Sequence, residues 1–125
     1  MNIAISPIDT DFTGQAWNAA RELTPEVGAF EEQYWETASR HLLMGLLIYM
    51  ALEVRLEKRT MGTLIALLKS GPACLKRIRE TCPSGAAAAW LSMRPGERYE
   101  AAVMADCLAR VLRYLHDHPG ACERR

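Results

Sequence analysis

The chain carries no net charge, because 15 Lys and Arg residues balance 15 Asp and Glu residues. A neutral protein exerts no overall attraction on nucleic acid or on an anionic membrane, so only a local patch could attract either. Half of its 125 residues are hydrophobic and 24% are charged, which is typical of globular rather than disordered chains. This length is enough for one domain with a hydrophobic core, expected over 1–125.

The sequence also lacks a long hydrophobic run and a secretory leader. Its longest apolar stretch, from Leu42 to Val54, is interrupted by Glu53, whereas a membrane-spanning helix needs about 20 apolar residues. The first five residues show no basic region followed by an apolar run, so no signal peptide is expected. We therefore expect a cytoplasmic protein that makes no membrane contact of its own.

The cysteines do not form a recognisable metal-binding or redox motif, since none of the four belongs to a C-x-x-C pair. Without a secretory context, reduced thiols are expected rather than disulfides. Cys107 and Cys122 lie near His116 and His118 in the sequence, but this spacing matches no standard zinc site. A core thiol and polar histidines at a helix end explain these residues better, and we expect neither a metal nor a cofactor.

No catalytic motif accompanies the other polar residues. Ser39 and His41 could suggest a nucleophile and a base, but the sequence has neither G-x-S-x-G nor the phosphate loop G-x-x-x-x-G-K-[ST]. His41 is therefore expected at the rim of the core. Glu32 and Glu36 share a helix face, yet no E-x-x-H follows, which favours a solvated acidic face over a di-metal site. The chain is not expected to be an enzyme.

Hydrophobic spacing predicts an all-α domain with one long central helix, one long C-terminal helix and several short helices between them. Apolar residues recur at every third or fourth position, and Pro and Gly separate the segments. Only residues 2–5 look extended. The predicted helices cover 13–23, 29–58, 61–69, 72–81, 86–93 and 97–116.

The helix over 29–58 is the predicted hub of the fold, because residues 42–52 are apolar on nearly every side and must be surrounded by other elements. Three basic residues are expected in its last turns, where the helix dipole favours positive charge. They are Arg55, Lys58 and Arg59.

Short signals mark the next segments. Thr60 suits the N-cap of the following helix, Ser70 and Gly71 suit its end, and Pro72 suits the first turn of the helix after it.

In the C-terminal helix, most apolar residues are predicted to form one broad buried face, with three charged residues off that face. The apolar set includes Val103, Cys107, Val111, Leu112 and Leu115, and the charged set is Arg110, Arg113 and Asp117.

Two kinds of residue are candidates for binding another macromolecule. The most basic stretch, which includes Lys69, Lys76, Arg77 and Arg79 together with the three basic residues near 58, could touch phosphate. Without interleaved exposed aromatics, a solvated helix face is favoured for it. Grooves between short helices could hold a partner helix or tail, although for Met and Trp residues ordinary core packing is favoured. The protein-binding candidates are Met61, Lys76, Arg77, Trp90 and Met93.

Several segments stand in an order that points to one family. They are Ser6-Pro7-Ile8-Asp9, Trp17-Asn18-Ala19, the helix segment 34–46 with its pattern "y-W-x-x-x-A-x-x-L-L-x-G", Thr63-Leu64 with Leu67-Leu68, and 98–103 leading to Asp117 and Pro119. Together they span about residues 5 to 119 and resemble the all-alpha domain of type IV coupling proteins, the ring ATPases of conjugation and type IV secretion. The segment around Trp35 is the most specific of them.

The resemblance implies a domain inserted in a cytoplasmic nucleotide-binding domain, where it receives secreted effectors, their adaptors, or relaxase and DNA-processing factors. The chain would then be an excised insertion, monomeric in isolation, with 1–5 and 120–125 as connecting stubs. The ATP-binding motifs of the family lie outside this segment, so the chain alone is not expected to hydrolyse ATP. The alternatives are a DNA-contacting helical domain of the conjugation machinery, an unrelated helical binding protein, and a small helical enzyme or metal protein.

Overall fold

The computed structural model describes residues 12–24, 33–81 and 97–118. Within these ranges the chain forms a helical bundle without a β-strand, so the predicted all-α class is confirmed. The five helices are α1 (Phe12–Leu23), α2 (Gln33–Glu53), α3 (Met61–Lys69), α4 (Pro72–Thr81) and α5 (Glu97–Asp117), and a 3-10 turn covers Leu56–Lys58.

Some predicted elements fall beyond these ranges. The extended stretch over 2–5, the helix over 86–93 and the first four residues of the helix expected over 29–58 all lie outside the described residues. The same holds for Glu32 and Cys122.

Helix α2 is the axis of the bundle, as its composition predicts. Seven consecutive residues, from Leu42 to Ile48, are buried, because α1, α3 and α5 all pack against this helix. A helix that is apolar on every side is stable only when other elements cover every side. The prediction of a central hub is therefore confirmed for the middle of α2.

The end of α2 differs from the prediction, because the helix stops at Glu53 rather than continuing to Lys58. The guanidinium of Arg59 donates a hydrogen bond from Nε to the carbonyl oxygen of Val54 at 2.8 Å, so this side chain caps the helix from beyond its end. The 3-10 turn that follows is closed by Lys58 N donating to Arg55 O at 2.8 Å. The basic residues expected on α2 thus lie in a connection.

The corner between α3 and α4 follows its local sequence signals. The Thr60 side chain accepts a hydrogen bond from the backbone N–H of Thr63 at 3.3 Å, which makes it the N-cap of α3. Gly71 has a φ of +80°, a left-handed conformation that costs glycine little. Pro72 then begins α4, where its missing N–H removes no helical hydrogen bond. All three predictions are confirmed.

Helix α5 runs parallel to α2. The hydroxyl of Tyr34 donates to that of Tyr99 at 2.7 Å, and further along both helices Ser39 Oγ donates to Asp106 at 2.7 Å. Because both pairs advance towards the C-terminal ends, the two helices point the same way.

The predicted buried face of α5 needs two corrections, which move that face around the helix. Leu112 was placed on it but is 45% exposed, whereas Arg110 was placed off it and is only 7% exposed. The reason is that Arg110 has partners on α2 and on its own helix, as described below.

Candidate functional site

Helix α4 carries two of the candidate binding residues on its outer side. Cys74, Leu75 and Ile78 are buried against the core, so the positions between them face outwards. We call this exposed set the α4 outer face, and it consists of Ala73, Lys76, Arg77 and Glu80. Lys76 and Arg77 therefore lie side by side and open to solvent.

A partly buried ion pair joins α4 to α5. Arg79 Nη1 lies 2.8 Å from Glu100 Oε1 on α5, and both side chains are largely shielded from solvent. Ion pairs of this kind orient the elements they join, because their geometry is directional. The α4 outer face is thus displayed on a helix whose inner side is held by apolar packing and by this contact.

Burial beneath this face affects the thiol of Cys74. Desolvation raises its pKa, and the nearby Arg77 guanidinium, which hydrogen-bonds the sulfur, only partly opposes that effect. A raised pKa keeps the thiol protonated at neutral pH, and a protonated thiol is a poor nucleophile. The Cys74 thiol is therefore not activated as a nucleophile.

Of the other three binding candidates, the structure describes only Met61. Met61 is 1% exposed and packs in the core, so the favoured core interpretation holds and the residue offers no surface to a partner. Trp90 and Met93 lie outside the described residues.

A buried polar cluster joins α2 and α5, and it corrects the prediction for Glu36. This residue was expected on a solvated acidic face but is only 4% exposed. Its carboxylate lies 3.8 Å from Arg110 Nη1, while Arg110 Nε lies 2.7 Å from Asp106 Oδ2. Ser39 donates to the same carboxylate oxygen. We call these four residues the α2–α5 polar cluster.

The α2–α5 polar cluster links the two helices through side-chain hydrogen bonds and ion pairs. The Ser39 hydroxyl donates to a carboxylate that also pairs with arginine, and His41 is exposed. Beside the cluster, Cys107 is completely buried, and desolvation raises the pKa of its thiol far above the usual value. In the described part of the chain, no three His, Cys, Asp or Glu residues group in a way that could hold a metal ion.

A second cluster, which the sequence reasoning missed, joins α1 to the end of α5. The Tyr114 hydroxyl donates to Glu22 Oε1 at 2.7 Å, and the His118 ring stacks on Tyr114 with ring centroids 4.2 Å apart. Burial, reinforced by the Glu22 carboxylate, raises the pKa of Tyr114 to about 12. The only sequence signal is a tyrosine four residues before a histidine at a helix end.

In the described ranges, no helix is both long and apolar enough to cross a membrane. Comparisons of the chain with protein families, curated proteins and solved structures found no match.

Proposed function

We propose that this chain is a protein-docking domain that receives secretion substrates or their adaptors on behalf of a type IV coupling ATPase. The proposal starts from the ordered segments that resemble the all-alpha domain of that family. The most specific of these, residues 34–46, coincides with the first two-thirds of α2. That helix holds the bundle together, so the shared pattern concerns the framework on which a docking surface would stand.

The observation that carries the proposal is the placement of α4. Its inner side is buried and its Arg79 is paired with Glu100, while Lys76 and Arg77 remain exposed on the outside. A folded helix that is packed on the domain core loses little further conformational entropy when its exposed charged face binds a partner. The cysteines of the described core, Cys74 and Cys107, are buried and offer no competing thiolate chemistry.

The proposal assigns ATP hydrolysis to another part of a larger protein, because this sequence has no G-x-x-x-x-G-K-[ST] loop. The domain would act at the cytoplasmic face of an inner-membrane secretion complex and would be monomeric when isolated. Its partners would be effectors or adaptors, with relaxase and DNA reached only through them.

Titration of the isotope-labelled chain with candidate secretion signals tests this function. We expect saturable chemical-shift changes at the amides of α4, and no changes with a scrambled signal of the same composition. Absence of any shift with every signal encoded beside this chain would contradict the proposal.

A DNA-contacting domain is the second candidate, and one observation favours it. Residues 55–79 contain seven Lys and Arg residues but a single acidic residue. Binding to several phosphates would release the counterions that are condensed on the DNA. The affinity for DNA would therefore fall steeply as the salt concentration rises. Anisotropy titrations with a duplex at two salt concentrations test this, and DNA binding that is undetectable even at low salt would eliminate the candidate.

A further inference from the structure

We infer that the α4 outer face, together with the end of α3, binds an acidic segment of a partner protein. The residues that would make the contact are Lys69, Lys76 and Arg77, which we call the basic corner. This inference rests on the proposed docking function and adds the site and the chemistry of the partner.

Charge is segregated along this chain, although its net charge is zero. Residues 55–79 hold seven basic residues and one acidic residue, whereas residues 1–54 hold two basic and eight acidic residues. Residues 80–125 hold six of each. The neutral total therefore hides a strongly basic segment, and that segment forms α3, α4 and the connection before them.

The arginines of this segment differ from its lysines in their contacts within the domain. All four arginines have contacts within the domain: Arg55 with Glu57, Arg59 with the Val54 carbonyl, Arg77 with the Cys74 sulfur, and Arg79 with Glu100. By contrast, Lys58, Lys69 and Lys76 are exposed and have no ion pair with any described residue. No described acidic residue neutralises these three lysines, so their charges attract anions from outside.

The basic corner lies at the bend between α3 and α4. The turn through Ser70 and Gly71 joins the end of α3 directly to the start of α4, so Lys69 lies at the corner from which the α4 outer face begins. Lys76 and Arg77 follow within two turns of the helix. Glu80 ends the basic part of this face. The corner is therefore short, and its size suits a peptide segment.

An acidic peptide fits the corner better than nucleic acid does. A duplex carries phosphates along its whole length, whereas the basic corner offers three cationic side chains and could contact only a few of those phosphates. Binding of single strands relies on exposed aromatic rings for base stacking. Among the described residues, the exposed large hydrophobic side chains are Tyr34 on α2 and Leu112 on α5, and neither belongs to the basic corner.

The test measures fluorescence anisotropy of a labelled twelve-residue peptide of alternating Glu and Ser, with a Gln and Ser peptide for comparison. The full chain is used with no change, with K69E/K76E, and with R98E/R113E. The last variant changes the net charge by the same amount at exposed positions on α5. We expect binding of the Glu peptide alone, weakened by about tenfold or more in K69E/K76E and by less than about twofold in R98E/R113E.

Three outcomes would overturn the inference: equal weakening by both variants, tighter binding of an oligonucleotide of the same charge, or self-association in sedimentation that K69E/K76E abolishes. Circular dichroism of each variant verifies the fold, and K69Q/K76Q replaces K69E/K76E if charge reversal unfolds the chain. If K69E/K76E still binds cargo, the basic corner is not the binding site, and the proposed docking function is not contradicted. Peptide binding at the corner without binding of any cargo would contradict the docking function instead.

Discussion

Helices α2 and α5 have the same length, 21 residues, but they are buried in different ways. Helix α2 buries every residue from Leu42 to Ile48, whereas α5 buries one side and exposes Ala105, Ala109 and Leu112 on the other. Helix α2 is therefore the central helix of the bundle, and α5 is one of its outer helices. The comparison teaches that a partner protein can reach the exposed side of α5 but not the middle of α2.

The difference arises from where each helix places its polar residues. No charged residue lies between His41 and Glu53 on α2, so nothing in that stretch requires solvent. On α5, charged residues occur throughout, and Asp106 and Arg110 reach partners on α2 instead of water. A buried polar contact between two packed helices fixes their alignment, because an unpaired buried charge is costly.

The largest effect is expected from Leu46→Ala in α2. Leu46 is fully buried, so the substitution leaves a cavity and should lower the free energy of unfolding by about 2–5 kcal/mol. Urea denaturation followed by circular dichroism measures it. A loss below 1 kcal/mol would mean that α2 is not the axis of the core.

The next effect is expected from Arg110→Ala in α5, which leaves Glu36 buried without its cation. Breaking one partner of a buried pair costs about 3 kcal/mol, whereas the exposed neighbour Arg113 changed to Ala should alter stability by less than about 0.5 kcal/mol. Chemical denaturation of both variants gives the comparison. The double variant Glu36→Gln/Arg110→Met should recover part of the loss, and equal stability of the two single variants would contradict the α2–α5 polar cluster.

A smaller effect is expected from Tyr114→Phe, which removes the hydrogen bond to Glu22 and should cost about 1 kcal/mol.

The same residue predicts a dependence on pH. An unfolded tyrosine loses its proton near its ordinary pKa of 10.0, but the folded protein holds that proton until about pH 12. Tyr114 therefore makes its full contribution to the free energy of unfolding below pH 10, and this contribution is lost as the pH rises from 10 to 12. Absorbance titration of tyrosinate should show one late component that Tyr114→Phe removes. A late component that persists in the variant would contradict this assignment.

The smallest effect is expected from Leu112→Ser on the exposed side of α5. The side chain is 45% exposed, so the change in stability should stay within about 0.5 kcal/mol. Thermal unfolding beside Leu46→Ala shows the contrast directly. A loss as large as that of Leu46→Ala would show that Leu112 belongs to the core after all.

Sequence reasoning predicted best what depends on neighbouring residues. The Thr60 cap, the left-handed Gly71 and the first turn at Pro72 are local effects, so the corner between α3 and α4 was predictable. The solvated helix face predicted for the basic stretch holds for Lys76 and Arg77, which face outwards, but not for Arg79, which is partly buried and pairs with Glu100.

The failures concern contacts between residues that are distant in sequence or that reach back along the chain. Just beyond the early end of α2, the Arg59 side chain turns back and donates to the Val54 carbonyl. Helix propensities of single residues do not predict such a contact. The burial of Glu36 depends on Arg110, a residue on another helix. For Met61 the same apolar signal predicts core or groove, and only packing decides between them.

Hydrogen exchange of the backbone amides tests most directly whether α2 is the buried axis. We predict that amides from Leu43 to Met50 exchange only through global unfolding, with an opening free energy equal to that from urea denaturation, while amides of α4 open at lower free energy. If the α2 amides exchanged faster than those of α4, the account would be contradicted at its centre.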